Sequence, residues 1–322
     1  MVVLAWIAQP ARANSFWTMG DVVPSFHGGS YMDGLEPEFF TPINENHWQM
    51  AGRVLRTSTG GFNDIVGEIA EIGTFPFREP VLFAGAAIGV GLLMSQDERL
   101  TTWYQDDLEP AFKGFDLPSI YQPLNSTFSI EDQYLLLGIA GTYGYGVLAK
   151  DERAQIAATL SIKAMAYSVL TTQLFLKPAF GRVRPVPNLS TFAGSEADAN
   201  GNGFTTNPYL FGQTTGIHIG QVRWGTSFPS YHFTEFFAVA RVYSGVYDNS
   251  WVPYVAAGLL TFSNMRAHNH WFSDMAAGAL VGTVIGQVVL NGYADRRDRG
   301  FDTMFMPSVS SKGVSAQFTM TF

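Results

Sequence analysis

Two histidines and the residues around them carry the chemistry open to this chain. His270 lies in the stretch FSNMRAHNHWFSDMAAG, Phe262 to Gly278, with Asp274 four residues on and Arg266 and His268 just before it. His232 lies in FPSYHF, directly after Ser230 and Tyr231. A third cluster, KPAFGRVRP, sets six residues between Lys177 and Arg184 and closes on Pro185. An imidazole can attack an electrophile or protonate a leaving group. An aspartate one helical turn away can fix its tautomer and steady the imidazolium. Lys177 and Arg184 supply fixed positive charge, and the guanidinium fork matches phosphate oxygens. Ser230 and Asp274 each mark a helix start, and two helix N-termini offering free N–H groups make an anion site. Each cluster alone also has a plain structural reading as a helix cap or a helix end. Together they describe phosphoryl transfer, one histidine attacking phosphorus and the other protonating the leaving oxygen.

The order and spacing resemble the three-part signature of the type 2 phosphatidic acid phosphatase superfamily, which includes bacterial class A acid phosphatases and vanadium haloperoxidases. That signature runs Lys-x6-Arg-Pro, then Pro-Ser-Gly-His, then Ser-Arg-x5-His-x3-Asp. Here it reads Lys177, Arg184 and Pro185, then Pro229-Ser230-Tyr231-His232, then Ser263-Asn264 followed by His270 and Asp274. The resemblance covers about residues 80 to 291 and implies an all-α bundle with paired helices around the site. It implies His270 as a nucleophile forming a phosphohistidine, Asp274 as its orienting partner and His232 as the general acid. Lys177, Arg184, Ser230 and the main chain at Tyr231 would hold the phosphate, with no metal and no cofactor. Two positions depart. Tyr231 replaces a glycine whose bare backbone lets phosphate approach, so its side chain must point away. Asn264 replaces a phosphate-binding arginine and brings no charge. Arg266 is two residues on, about 200° around a regular helix, and joins the phosphate set only where that helix unwinds; His268 is a further donor or a bystander.

These residues need elements to hold them. Six apolar segments lack strand-like alternation and read as helices: Pro80 to Gln96, Gln133 to Ala149, Ala154 to Leu176, Phe233 to Tyr247, Trp251 to Met265 and Asp274 to Leu290. The fold class is therefore all-α, a six-helix core over 79–291. Residues 1–13 read as a signal peptide ending in the small-x-small run Ala11-Arg12-Ala13. Residues 14–78 read as an irregular, aromatic-rich region. The connection 186–228, rich in Gly, Asn, Ser and Thr, is long enough to be a lid. Residues 292–322 read as a charged turn and a β-hairpin, because Val314, Ala316, Phe318, Met320 and Phe322 alternate with polar residues.

Composition narrows the partners. The net charge of −8 with no long basic run argues against nucleic acid, and the absence of cysteine excludes disulfides and thiolate chemistry. The chain is 47% hydrophobic and 14% charged, with mean hydropathy +0.08. Lys163 and Arg241 interrupt two of the apolar segments, which favours a soluble or membrane-peripheral bundle over bilayer spans. Gly278, Gly282 and Gly286 form a small-residue ridge that suits close helix contact in either setting. The expected activity is a metal-independent phosphatase acting on a phosphorylated small molecule or lipid, in the periplasm or envelope of a Gram-negative bacterium. A catalytically impaired scaffold, docking on an envelope protein through its C-terminal strand, is the alternative. A vanadium-dependent haloperoxidase is disfavoured by the missing arginine.

Overall fold

Helix starts are encoded locally. Asn46 caps α1 (His47–Thr59) by accepting from the Trp48 and Gln49 N–H groups, while Gln49 reaches back to the Asn46 N–H. Asp64 does the same for Gly61 at the start of α2 (Phe62–Arg78), and Pro80 occupies the first turn of α3 (Pro80–Met94). Helix α4 (Asp97–Trp103) runs on through a π segment, Tyr104–Leu108. Ser129 and Asp132 form a capping box at α5 (Ile130–Ala149). Asp151 caps α6 (Glu152–Ser168), which widens into a second π segment, Val169–Leu176, and ends in the turn Lys177–Phe180. Then follow α7 (Tyr231–Tyr247), α8 (Val252–Phe262) and α9 (Phe272–Arg299). The computed structural model describes residues 45–112, 115, 117–123, 128–195, 203–213, 217, 226–249, 251–262, 269–299, 303–310 and 313–320.

All six expected segments form helices within their described residues, and the described residues are mostly helix. Two boundaries need correction. Residues 47–78, read from sequence as irregular, form α1 and α2. The aromatic and Gly/Pro texture masked a helical period that turns Met50, Ala51 and Val54 inward. The charged run after Leu290, read as a turn, continues α9 to Arg299. It stays helical because its charges have buried partners: Arg296 bonds Glu68, and Arg297 reaches Glu152 at 2.9 Å. Residues 1–44 lie outside the described residues, and the signal-peptide reading with them.

Two small sheets complete the fold. Strand β1 (Arg184–Pro185) pairs in parallel with β2 (Phe204–Thr205), tying the start of the 186–228 connection to its middle. Strands β3 (Thr303–Ser310) and β4 (Gly313–Met320) pair antiparallel, with Phe305 opposite Phe318 and Ser310 opposite Gly313. This is the C-terminal hairpin that the alternation indicated.

The core joins α1, α6, α7 and α9 through Val54, Ile156, Leu160, Val242, Ile285 and Val289. The two charged side chains that interrupt apolar segments are hydrogen-bonded inside it. Lys163 pairs with Glu68 at 2.6 Å and donates to the Ser58 and Thr59 carbonyls, closing the C-terminus of α1. Arg241 of α7 bonds Gln287 of α9. By length and composition Phe272–Arg297 could cross a membrane, yet 67% of its apolar window is buried inside the protein. Its small-residue ridge faces α7. A Cβ on Gly278 would meet the Ser230 carbonyl oxygen at 2.5 Å, and one on Gly286 the Ala238 oxygen at 2.6 Å; one on Gly282 would overlap the Thr234 oxygen. Backbone thus lies directly on backbone.

Gly282→Ala should therefore destabilise the protein by about 2 kcal/mol or more, because a helix rather than a flexible side chain must move. Gly89→Ala on α3, where a Cβ meets open space, should be neutral or gain up to about 1 kcal/mol from helix propensity. Denaturant titration of the two variants compares these outcomes directly.

Candidate active site

The α7–α9 contact fixes one wall of the site. Where the helices begin, the Ser230 N–H donates to the Asp274 carbonyl at 3.0 Å. This bond locks the first turn of α7 to the first turn of α9. Ser230, His232, His270, Glu131, Tyr104 and Phe233 line a common pocket there. The two histidines, 38 residues apart in sequence, are brought together by packing of the glycine ridge.

His270 sits just before α9, following Asn269, which adopts a positive φ of 42°. The ring is buried, with Nδ1 3.5 Å from Asp274 Oδ2 and Nε2 3.2 Å from Arg184 Nη1. A guanidinium can only donate. The Nε2 it faces must therefore present its lone pair, and the ring hydrogen belongs on Nδ1, on the Asp274 side. Arg184, held by β1, also donates to the Asn269 and Thr226 carbonyls at 3.4 Å each. Burial pushes the Arg184 guanidinium down to about 10, with Asp274 opposing the shift. Burial and the Arg184 charge push the Lys177 ammonium well below its usual range, again opposed by Asp274. Two like charges with little water around them are the electrostatics of an anion site.

The α7 N-terminus supplies the second half. The Ser230 hydroxyl is buried, lines the pocket and has no hydrogen-bond partner among the described residues. Tyr231 keeps its ring off the pocket, edge-on to His232 at 5.4 Å and close to Glu235. Its side chain thus meets the condition set by the missing glycine. The other helix start differs from expectation. Rather than presenting free N–H groups, α9 is capped by its neighbours: Ser273 N–H donates to Asp97 Oδ1 at 2.8 Å, Phe272 N–H to Thr101 Oγ1 at 3.1 Å and Trp271 N–H to Asp274 Oδ2 at 2.9 Å. Asp97 and Thr101 of α4 and Asp274 of α9 itself take these donors, so of the two helix starts only α7 is left to face an anion. Asn264, Arg266 and His268 lie outside the described residues.

Lys177, Arg184, Ser230, His232, His270 and Asp274 all fall in the stretch 157–298, and that stretch matches the PAP2 superfamily. The chain carries a PAP2 superfamily domain. No curated protein and no solved structure matches the chain closely enough to count as a relative. PAP2 superfamily membership implies a phosphatase-type activity.

Sequence reasoning missed the residue that holds this PAP2 site together. Arg182, inside KPAFGRVRP, is fully buried; Nη1 donates to Asp274 Oδ1 and Nη2 to Asp97 Oδ2, both at 2.6 Å. Its Nε and Nη2 donate to the Pro208 carbonyl, and its guanidinium lies 5.4 Å from the Trp271 ring centroid. The Ser273 hydroxyl closes the ring by donating to Asp97 Oδ2 at 2.5 Å. Burial raises the Asp274 carboxyl above its ordinary range; Arg182 opposes that rise and the Asp97 charge adds to it. Only the arginine-rich spacing of the first motif hinted at Arg182, and nothing local marked Asp97, 85 residues upstream.

Arg182→Met should cost about 3–5 kcal/mol, since it strands buried carboxylates without their cation. Asp274 already has a raised folded-state pKa, and removing Arg182 raises it further. Stability is then lost as pH rises from the unfolded carboxylate value through the folded one. The deficit should be greatest at neutral pH and shrink on acidification, as thermal melts at pH 4 and pH 7 would register.

Proposed function

We propose that this protein is a metal-independent phosphatase that hydrolyses a phosphomonoester or a lipid (pyro)phosphate through a phosphohistidine. The observation that carries the reading is the orientation of His270: its hydrogen-bearing Nδ1 faces Asp274, while its lone-pair Nε2 faces Arg184 in a pocket shared with His232 and the buried Ser230 hydroxyl. In the first step the Nε2 lone pair forms a bond to phosphorus as the bond to the leaving oxygen breaks, and His232 protonates that oxygen. Asp274 stabilises the imidazolium that develops on His270, and Arg182 keeps Asp274 in place. In the second step water, deprotonated by His232, attacks phosphorus and the P–N bond breaks, releasing inorganic phosphate. Lys177, Arg184, the Ser230 hydroxyl and the first N–H groups of α7 hold the phosphate oxygens, where charge accumulates in the transition state.

The 186–228 connection covers the site in this reading. Support comes from its described part, where the Pro208 carbonyl accepts from Arg182 and the Leu210 carbonyl from the Val183 N–H. Lipid substrates are favoured by exposed apolar side chains, among them Phe77, Val81 and Leu148. The small-x-small run near residue 13 favours an envelope location.

Hydrolysis of an aryl phosphate in EDTA tests the reading. Wild type should turn over, and His270→Ala should lose at least about a thousandfold, with a phosphohistidine trapped by rapid acid-free quenching in wild type only. Metal-dependent turnover, or turnover that survives His270→Ala, would overturn the mechanism. A silent wild type revived by Asn264→Arg would instead mark a phosphatase fold disarmed at one position. Binding has its own readout: inorganic phosphate at 100 times its Kd should stabilise wild type by about 2.7 kcal/mol, and Lys177→Met should lose most of that gain.

A further inference from the structure

Helix α7 carries a second histidine–carboxylate pair that the phosphatase reading does not use. His232 Nε2 lies 3.7 Å from Asp132 Oδ1, across the interface between α7 and α5. The imidazole sits between the pocket it lines and this carboxylate. Asp132 is buried, and its two oxygens have different tasks. Oδ2 accepts the Ser129 N–H at 3.0 Å in the α5 capping box, while Oδ1 is directed to His232. A capping role alone accounts for the first oxygen and not for the second.

Several ionisable groups surround the pair. Glu235 and Tyr231 face it from α7 itself, Glu131 from α5, Tyr104 from the π segment after α4, and His270 from across the pocket, with Arg184 and Lys177 behind it. Burial, and then the Asp132 charge, push the Glu235 carboxyl well above its usual range. Asp132 is held below its ordinary value: burial would raise it, but His232 and the Ser129 N–H outweigh that. The geometry is therefore that of a buried carboxylate directed at an imidazole across the interface between two helices.

We propose that Asp132 is a positioning residue for His232, holding the ring at the pocket and keeping it protonated for transfer to the leaving oxygen. The site then has two histidine–aspartate pairs of opposite purpose. Asp274 serves a histidine that starts neutral and gains charge when it attacks; Asp132 serves one that starts charged and loses its proton. The inference rests on His232 acting as the general acid, and the tests below separate its failure from failure of that reading.

Asp132→Asn keeps an oxygen for the Ser129 N–H and replaces the carboxylate oxygen facing His232 with a neutral amide nitrogen; Ser129→Ala weakens the cap and leaves the charge. In an NMR titration of the histidine side chains, the His232 resonance should titrate about 1 pH unit lower in Asp132→Asn than in wild type, and unchanged in Ser129→Ala. This readout needs no turnover. In assays, Asp132→Asn should shift the alkaline limb of kcat to lower pH. It should also lose about tenfold on an alkyl phosphate, with a smaller loss on a nitrophenyl phosphate, whose leaving oxygen needs little protonation. Ser129→Ala should lower Tm and leave both profiles in place. An unmoved His232 resonance, or equal losses on both substrates with an unshifted limb, would reduce Asp132 to a cap and overturn the inference. Full activity in His232→Ala on the alkyl phosphate would remove the general-acid role itself, and this inference with it, while leaving His270 as nucleophile intact.

Discussion

Backbone contact between α7 and α9 is the constraint on which the rest of the site depends. Gly278, Gly282 and Gly286 let the second helix lie directly on carbonyl oxygens of the first. That closeness permits the Ser230 N–H to reach the Asp274 carbonyl, which pins the two helix starts to one another. The proposed anion site and nucleophile come from separate helices and need registry finer than side-chain packing alone imposes, since side chains give by rotamer change and backbones do not. Even one methyl group on the ridge would separate the elements that carry His232 and His270.

A buried charge network fixes the same junction from the other side. Arg182 binds Asp274 and Asp97, and Asp97 in turn caps α9 through Ser273. Such a network is a poor source of stability, because taking three charged groups out of water costs much of what their attraction returns. Its value is positional. Asp274 is held by Arg182 on one oxygen and by the Trp271 N–H on the other, so the carboxylate has little freedom and the His270 ring is aimed by contact with it. On the phosphate side Lys177 and Arg184 are held close together with their basicity depressed by burial. Arg182 thus meets two carboxylates beneath His270, while Lys177 and Arg184 bring two positive groups to the other side, where Asp274 also acts on them.

Much of the helical framework was legible in the chain. The six apolar segments, the hairpin alternation and the small-residue ridge are periodic features, and periodicity is set by which side chains must be buried. Helices α1 and α2 were not, because glycine, proline and aromatic residues obscure a short amphipathic repeat, and α4, at 7 residues, is too short to show one. The site shows the same division. Lys177, Arg184, Ser230, His232, His270 and Asp274 announce themselves by type and spacing. Arg182 and Asp132 do not, since an arginine among arginines and an aspartate in a capping box already have ordinary explanations.

The sequence by itself therefore determined the reactive groups, the helices that bear them and the family to which residues 157–298 belong. Those properties are local: a spacing, a cap, a repeat of apolar positions. Tertiary structure alone decided which nitrogen of His270 faces Arg184, that α9 spends its free N–H groups on Asp97 and Thr101, and that His232 has Asp132 at its side. These are relations between residues tens to more than a hundred positions apart. No local pattern encodes them, because the energy that selects them arises only when the helices meet and water leaves the space between.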